Sequence, residues 1–172
     1  VCSSDLGSSY GGGLVTWVAA NDPRVKCVAA QVPGLAARGP AAVKYAYDLA
    51  TKQARGETEP VPIETGKLTG KMAAYENMRV NPAKNLGFSA LEAAAKLNAP
   101  ALFVVAEQEE LSSNATVEKV HQALRERSVP MRYHVIRGIT HYGVYRGGFD
   151  EATRVGLEGF DEHLKASASL KP

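Results

Sequence analysis

Cysteine is scarce in this sequence, which contains only Cys2 and Cys27 among its 172 residues. Two thiols are too few for a disulfide framework, and this excludes the small domains that disulfide bonds hold together. Cys27 lies within an apolar stretch and no sharp turn surrounds it. We therefore expect a buried, unreactive thiol at this position and no catalytic cysteine.

Long apolar runs and an excess of one charge are absent as well. No run reaches the about 20 residues that a transmembrane helix needs. The formal net charge of +2 gives no reason to expect nucleic acid or an anionic membrane as a partner. No His, Cys and Asp residues share the spacing of metal ligands, so we expect no metal and no cofactor. The remaining composition, 45% hydrophobic and 22% charged, is typical of one globular domain with a sizeable core.

Near the N-terminus, the segment GSSYGGG (Gly7–Gly13) matches the pattern Gly-x-Ser-x-Gly with Ser9 at its centre. This pattern predicts a sharp strand-to-helix turn that exposes the serine hydroxyl. Gly7 and Gly11 are expected where a Cβ would collide across the turn. The backbone N–H of Tyr10, at the start of the next helix, would stabilise a negative oxygen on a substrate. The alternative is a glycine-rich loop with two ordinary serines, because so short a pattern often occurs by chance.

The segment Val1–Leu6 (VCSSDL) should be the strand that leads into this turn, yet Ser-Ser-Asp has low strand propensity. The hexapeptide resembles the translation of a common short-read sequencing adapter, which is found at the ends of metagenomic reading frames. We therefore predict that native sequence begins near Gly7. On this hypothesis the chain is the C-terminal part of a longer protein, called the parent protein below.

The residues after the turn predict a β-α-β unit. Leu14–Ala20 is an apolar run suited to a buried helix, and Pro23 cannot continue it. Val25–Val32 has the composition of a buried strand. A strand, a helix and a second strand in close succession indicate a parallel sheet.

The region from Leu35 to Leu86 shows no clear strand. It contains a predicted helix at Ala41–Gln53, a proline-interrupted loop at Arg55–Ile63 and a possible short helix at Gly70–Arg79. We interpret residues 35–86 as a cap or lid inserted between two strands, with a long plain crossover as the alternative. The apolar side of the first helix is expected to comprise Val43, Tyr47, Leu49 and Ala50.

Helices and strands alternate regularly in the second half of the chain. The predicted elements are a helix at Ser89–Leu97, a strand at Ala101–Ala106, a helix at Ala115–Arg127, a strand at Met131–Ile136 and a helix at Phe149–Lys165. We expect the last helix to bury Val155, Leu157, Phe160 and Leu164. Two loops separate these elements: an acidic loop at Glu107–Asn114 and a glycine-rich loop at Gly138–Gly148.

Ser9, the acidic cluster Glu107, Glu109 and Glu110, and His141 each follow a predicted strand. The carboxyl ends of parallel strands open on the same edge of a sheet, so these side chains should meet there. A serine hydroxyl needs a base such as imidazole to become a nucleophile, and the histidine needs a carboxylate on its other nitrogen. The order nucleophile, acid, histidine is that of a hydrolase triad.

Three other histidines compete with His141. We expect His121 and His163 on solvated helix faces and His134 packed within a strand. Only His141 lies in a loop at the predicted edge, so it is the candidate base.

Five stretches carry a resemblance to a known family: GSSYGG, Asp22–Lys26, Gln31–Pro33, Val104–Glu107 and Gly138–His141. Together they resemble the α/β-hydrolases, in particular the dienelactone-hydrolase-like and X-prolyl-peptidase-like serine hydrolases. The resemblance implies the C-terminal part of a doubly wound, mostly parallel sheet with a helical cap insertion. The family fold has eight strands, of which this chain would supply the end of the nucleophile strand and the last three. The loop that donates the second oxyanion N–H would be missing, which leaves only the N–H of Tyr10.

The resemblance also guides the choice of the acid. Relatives read Ala-Glu-x-Asp in this stretch with the aspartate as the triad acid, and that position falls on Glu109. An alternative acid site, in the segment Pro33–Tyr47, holds no Asp or Glu. Glu107 is still at the strand end, whereas Glu109 lies far enough into the turn to reach His141. The alternative is an acidic loop that is merely solvated.

The sequence thus predicts a serine hydrolase that cleaves an ester or related acyl bond through an acyl-enzyme. The expected partner is a small-molecule acyl substrate, and the exposed sheet edge of a fragment could support self-association. A prolyl-type peptidase and a catalytically silent α/β binding module are the alternatives.

Overall fold

The computed structural model describes residues 3–36, 39–60, 63–64 and 79–165. In chain order the elements are β1 (Ser3–Ser8), α1 (Tyr10–Asn21), β2 (Val25–Gln31), α2 (Pro40–Ala54), β3 (Ile63–Glu64), β4 (Arg79–Val80), α3 (Ala90–Lys96), β5 (Ala101–Gln108), α4 (Asn114–Glu126), β6 (Met131–Thr140) and α5 (Phe149–Phe160). Short 3-10 turns occupy Pro82–Asn85 and His141–Tyr145, and a π-helical turn at Asp161–Lys165 follows α5. In this part of the chain no helix has both the length and the hydropathy of a membrane span.

The chain divides into two compact units. The first combines Val1–Ala37 with Ser89–Pro172, and the second is Arg38–Phe88. The second unit therefore overlaps most of the insertion that the sequence predicts at residues 35–86.

A four-stranded parallel sheet in the order β1-β2-β5-β6 forms the centre of the first unit. β2 and β5 are the inner strands and are almost fully buried, which explains their continuous apolar sequences. The parallel α/β class predicted from the sequence is confirmed. β1 forms in spite of its Ser-Ser-Asp sequence because it pairs along its length with the buried strand β2, and pairing can override strand propensity.

Helices pack on the sheet through alternating residues. Leu102, Val104 and Ala106 of β5 belong to one buried cluster with Ala152 and Val155 of α5. Residues between them on β5, such as Phe103, are also fully buried. Helix α4 packs against β5 and β6, α1 packs against β1 and β2, and α3 contacts both helices. Cys27 is 1% exposed, and burial raises the pKa of its thiol to about 11, in line with the buried, unreactive thiol that the sequence predicts.

Several buried faces differ from the prediction. In α2 only Ala46 is fully buried. Of the predicted apolar side, Leu49 and Ala50 are half-buried, whereas Val43 and Tyr47 are exposed, so that part of the prediction is wrong. Among the described elements of its unit, α2 contacts the short 3-10 turn at Pro82–Asn85. In α5, Leu157 is 60% exposed, because glycines and Ala152 occupy the buried positions beside Val155.

Some element bounds also differ from the prediction. β6 continues to Thr140 instead of ending at Ile136, so His141 follows the strand directly and does not lie deep in a loop. The region predicted to lack strands contains β3 and β4, which pair with each other in antiparallel fashion. The short helix predicted at Gly70–Arg79 lies outside the described residues, except for Arg79 in β4.

Candidate active site

Ser9 occupies a strained turn between β1 and α1, with φ 56° and ψ −123°. A non-glycine residue in this region costs about 1–3 kcal/mol, which surrounding contacts must offset. Here the backbone N–H of Ser9 donates to the carbonyl of Gln31 at 2.9 Å, and the Ser9 carbonyl accepts from the N–H of Gly34, also at 2.9 Å. The turn between strand and helix predicted from the sequence is therefore present and is held from the end of β2.

The glycines of the turn have different steric roles. A Cβ on Gly7 would lie 2.3 Å from the carbonyl oxygen of Gly11 and 2.9 Å from Cγ2 of Val15, so no other residue fits at position 7 without a backbone shift. A Cβ on Gly11 would meet nothing within 4 Å. The prediction that Gly11 is required for the same reason as Gly7 is therefore wrong, because the space beside Gly11 is open.

The next two glycines allow α1 to approach the segment after β2. A Cβ on Gly12 would lie 3.0 Å from the Cα and Cβ of Pro33, and one on Gly13 would lie 2.7 Å from the carbonyl oxygen of Gly34. Three of the four glycines in Gly7–Gly13 thus have a steric role. A side chain at Gly7 would collide within the turn, and side chains at Gly12 and Gly13 would collide with the loop after β2.

The side chains of Ser9, His141 and Glu109 form a continuous hydrogen-bonded row. Oγ of Ser9 lies 2.9 Å from Nε2 of His141, and Nδ1 of His141 lies 2.9 and 3.0 Å from the two carboxylate oxygens of Glu109. The side chains of His141 and Glu109 are only 2% and 1% exposed. An ionised carboxylate can only accept, so Nδ1 carries the proton and Nε2 accepts from the Ser9 hydroxyl.

Glu109 is also fixed by the turn in which it lies. Its Oε1 accepts from the backbone N–H groups of Leu111 at 2.9 Å and Ser112 at 3.0 Å. These bonds satisfy the hydrogen-bonding capacity of the buried carboxylate and orient it toward His141. Burial of His141 as an imidazolium would be costly without the counter-charge of this carboxylate.

The other two acids of the cluster contact the backbone of β6 and the residue that follows it. The Glu107 carboxylate accepts from the N–H of Gly138 at 2.8 Å, and the Glu110 carboxylate accepts from the N–H of His141 at 2.9 Å. Sequence reasoning treated both acids as competitors of Glu109 and missed these contacts. The only signal available was the presence of three acids within four residues.

His134 and His121 contact partners other than Ser9. Nε2 of His134 pairs with Glu151 at 2.7 Å, and the ring of His121 stacks on Tyr133 with centroids 5.6 Å apart. Burial, with the nearby Arg125, lowers the pKa of His121.

Two tyrosines of the 3-10 turn after β6 lie close to this row. The ring of Tyr142 meets that of His141 edge to face at a centroid distance of 5.3 Å, and the hydroxyl of Tyr145 lies 2.7 Å from Oγ of Ser8. The Ser8–Tyr145 bond joins the element before Ser9 to the turn that begins with His141. Sequence reasoning missed both tyrosines, because nothing in the sequence relates them to Ser8 or Ser9.

Tyr10 is the first residue of α1, so its backbone N–H lies beside Ser9 at the helix N-terminus. This is the position at which the sequence predicts an oxyanion donor. Among the described residues, no group of three or more His, Cys, Asp and Glu side chains is arranged to hold a metal ion.

Comparison with known proteins relates this arrangement to one fold. No family model matches the chain, and no curated protein matches it. The solved structure of the α/β hydrolase GrgF from Penicillium sp. sh18 superposes with a TM-score of 0.71 at 20% identity, over 94% of this chain and 64% of that protein. A monoacylglycerol lipase from Paleococcus ferrophilus gives a TM-score of 0.62 at 19% identity, over 91% of this chain and 67% of that protein.

The acylaminoacyl peptidase of Pyrococcus horikoshii gives a TM-score of 0.60 at 16% identity, over 94% of this chain and 24% of that protein. The chain thus spans less than two thirds of the length of GrgF. Identities this low establish the fold alone. The chain has the α/β-hydrolase fold.

Proposed function

We propose that the chain is part of a serine hydrolase that cleaves an ester or related acyl bond, with Ser9 as nucleophile, His141 as general base and Glu109 as the acid that orients it. The observation that supports this proposal most is the row of contacts from Ser9 Oγ through His141 to Glu109, in which each successive distance is 3.0 Å or less. The strained backbone of Ser9 adds support, because such strain concentrates at functional sites.

In the acylation step, Oγ of Ser9 would attack the carbonyl carbon of the substrate while Nε2 of His141 takes the hydroxyl proton. The carboxylate of Glu109 stabilises the resulting imidazolium through its contact with Nδ1. When the tetrahedral intermediate collapses, the bond to the leaving group breaks and the leaving oxygen takes the proton from Nε2. The products are an acyl-Ser9 ester and an alcohol.

In the deacylation step, Nε2 of His141 would take a proton from water as its oxygen attacks the acyl carbon. Collapse of the second intermediate returns the proton to Oγ of Ser9 and releases the carboxylic acid. No other reactant is consumed, since one water molecule balances the two steps.

The negative oxygen of both intermediates would accept from the backbone N–H of Tyr10 at the start of α1. In the family that this chain resembles, a second donor comes from a loop after the third strand. We therefore propose that the 172-residue chain alone is far less active than the parent protein. The loss of one oxyanion donor raises the barrier by about 3–4 kcal/mol.

We also propose that the second unit, Arg38–Phe88, is a cap that contributes to substrate selection. Its position in the chain between β2 and β5 is that of an insertion between two sheet strands. Exchange of this unit should alter the preference among acyl chains and leave the labelling of Ser9 intact.

Self-association of the chain is a further part of the proposal. β1 is an edge of the described sheet, and its Leu6 is 52% exposed. An open strand edge beside apolar surface favours pairing with a second copy. Size-exclusion chromatography that shows a monomeric 172-residue chain with full esterase activity would contradict both the association and the fragment hypothesis.

Covalent labelling of the parent protein by a fluorophosphonate probe tests the proposed function. We expect rapid labelling of the native protein, none of Ser9→Ala, and labelling of the matched variant Ser8→Ala. A native protein that does not label would indicate a silent binding module. Labelling with turnover of prolyl amides but not of p-nitrophenyl esters would indicate a prolyl-type peptidase.

A further inference from the structure

The end of β6 contains a bulge just before His141. The pairing of β5 with β6 passes from Ala106 opposite Ile136 to Gln108 opposite Thr140, so Glu107 faces the three residues 137–139. Gly138, in the middle of this bulge, has φ +71°. Bulges bend a strand and redirect the side chains that follow, and they are common beside active sites.

Two carboxylates, one at the end of β5 and one in the loop that follows it, bind this bulge at its middle and just beyond its end. Glu107 accepts from the N–H of Gly138 at 2.8 Å, within the bulge, and Glu110 accepts from the N–H of His141 at 2.9 Å, directly after the strand. Hydrogen bonds to an ionised acceptor are about twice as strong as those between neutral groups. The Glu107 carboxylate thus provides an acceptor for a backbone N–H at the point where the ladder of strand pairs is irregular.

We propose that Glu107 and Glu110 are positioning residues, which fix the bulged end of β6 and so keep His141 in reach of Ser9. This inference rests on the proposed function and deepens it. Glu109 fixes the imidazole ring through Nδ1, whereas Glu110 fixes the backbone of the same residue. His141 is thus held at two points by adjacent residues, and Glu107 holds the strand that delivers it.

The alternative is that Glu107 and Glu110 act on the His141 imidazole only through their negative charge. The two roles predict different effects of substitution. Glutamine separates the two roles, because its amide oxygen still accepts from a backbone N–H although the charge is gone. Alanine removes both the acceptor and the charge.

The experiment compares Glu107→Gln, Glu107→Ala, Glu110→Gln and Glu110→Ala in the parent protein, with Glu126→Gln and Glu126→Ala as matched controls. Glu126 is exposed on α4, where it accepts from its neighbour Gln122. Hydrolysis of a p-nitrophenyl ester is measured across a range of pH. Amide hydrogen exchange at Gly138 and His141 is followed by NMR in each variant.

We expect the glutamine variants to retain kcat within about threefold, since the backbone bond persists. The alanine variants should lose about 10- to 100-fold in kcat at nearly constant KM, the scale of a small misplacement of a reacting group. Each alanine variant should also lose exchange protection at its own partner amide. The acid limb of the pH–rate profile should keep its midpoint in every variant, and the Glu126 controls should behave as the native protein.

Equal losses in the glutamine and alanine variants, with a shifted acid limb, would replace positioning by a charge effect and overturn the inference. Loss of amide protection without loss of kcat would show that the bonds exist but do not matter for the reaction, which also overturns it. Neither outcome affects the proposed function, because that function is tested separately, by the labelling of the native protein and the loss of labelling and turnover in Ser9→Ala.

Discussion

The elbow segment (Gly7–Gly13) and the acid–histidine pair (Glu109 with His141) are held in different ways. In the elbow, close contacts at three glycines and two backbone bonds to the end of β2 and the loop after it set the geometry of Ser9. The acid–histidine pair instead depends on side-chain bonds between segments that lie 31 or 32 positions apart. A steric requirement restricts the residue type at one position, whereas a bonded contact can be made by several residue types.

This difference explains why the elbow segment and the acid–histidine pair should respond differently to substitution. In the elbow, adding one methyl group should be damaging at Gly7 and harmless at Gly11. At the acid–histidine pair, the size of the side chain matters less than which atoms donate and accept.

The largest effect is expected from Glu109→Gln in the parent protein. The amide has a single acceptor oxygen, which the N–H groups of Leu111 and Ser112 would retain, so the amide nitrogen would face Nδ1 of His141. This favours the wrong tautomer, in which Nε2 donates to Ser9, and kcat should fall by about ten-thousand-fold. The measurement is single-turnover hydrolysis of a p-nitrophenyl ester. Glu110→Gln is the matched control, and a larger loss there would move the acid to Glu110.

A smaller but broader effect is expected from Gly7→Ala. The added Cβ would lie 2.3 Å from the Gly11 carbonyl, so the backbone must shift two residues before Ser9. We expect the free energy of unfolding to fall by about 1–3 kcal/mol. Displacement of the nucleophile should lower kcat by about 100-fold. Urea unfolding and steady-state kinetics measure the two effects, and an unchanged value of both would contradict the steric account of the elbow.

The sequence predicts the elbow and the alternation of helices and strands well, because both depend on local patterns. The positions after β1, β5 and β6 could be placed at one edge of a sheet from the parallel topology alone. The contact of His141 with Glu109 was expected from the order of residues in the resembling family, and the structure contains this contact. The catalytic roles of these residues stay predictions.

Other features leave no periodic pattern in the sequence. The strand β1 forms through pairing with a buried neighbour, although Ser-Ser-Asp disfavours it. The exposed side chains of Tyr47 and Leu157 show that apolar spacing on a helix does not identify the face that another element covers. The bonds from Glu107 and Glu110 join side chains to backbone N–H groups. Almost every residue has such a group, so the sequence does not indicate which one a carboxylate will bind.

A modest effect is expected where the two halves of the site meet. Oγ of Ser8 and the hydroxyl of Tyr145 lie 2.7 Å apart and join the strand before Ser9 to the turn that begins with His141. Tyr145→Phe and Ser8→Ala should each lower kcat by a few-fold, and the double variant should lose no more than either alone. A coupling of about 0.5–1 kcal/mol in this double-mutant cycle is the expected value. Strictly additive losses would show that the bond does not connect the two halves.

The smallest effect is expected from Gly11→Ala, the matched partner of Gly7→Ala. A Cβ at this position meets nothing within 4 Å, and Gly11 lies in the first turn of α1 without a positive φ. Alanine loses less backbone entropy than glycine on folding, so the free energy of unfolding should stay equal or rise by up to about 1 kcal/mol. We expect kcat for p-nitrophenyl acetate to stay within about twofold, because the backbone around Ser9 keeps its geometry.

Urea unfolding decides the steric half of this last prediction, and a loss of stability would mean that the elbow requires glycine at both positions. Kinetics with a series of longer acyl esters decides the other half. The open space beside Gly11 lies two residues after Ser9, where a bound substrate could pass. If Gly11→Ala keeps full activity on the acetate but loses it as the acyl chain lengthens, the acyl chain of the substrate occupies the space beside Gly11. In that case glycine at position 11 serves binding, whereas glycine at position 7 serves the fold.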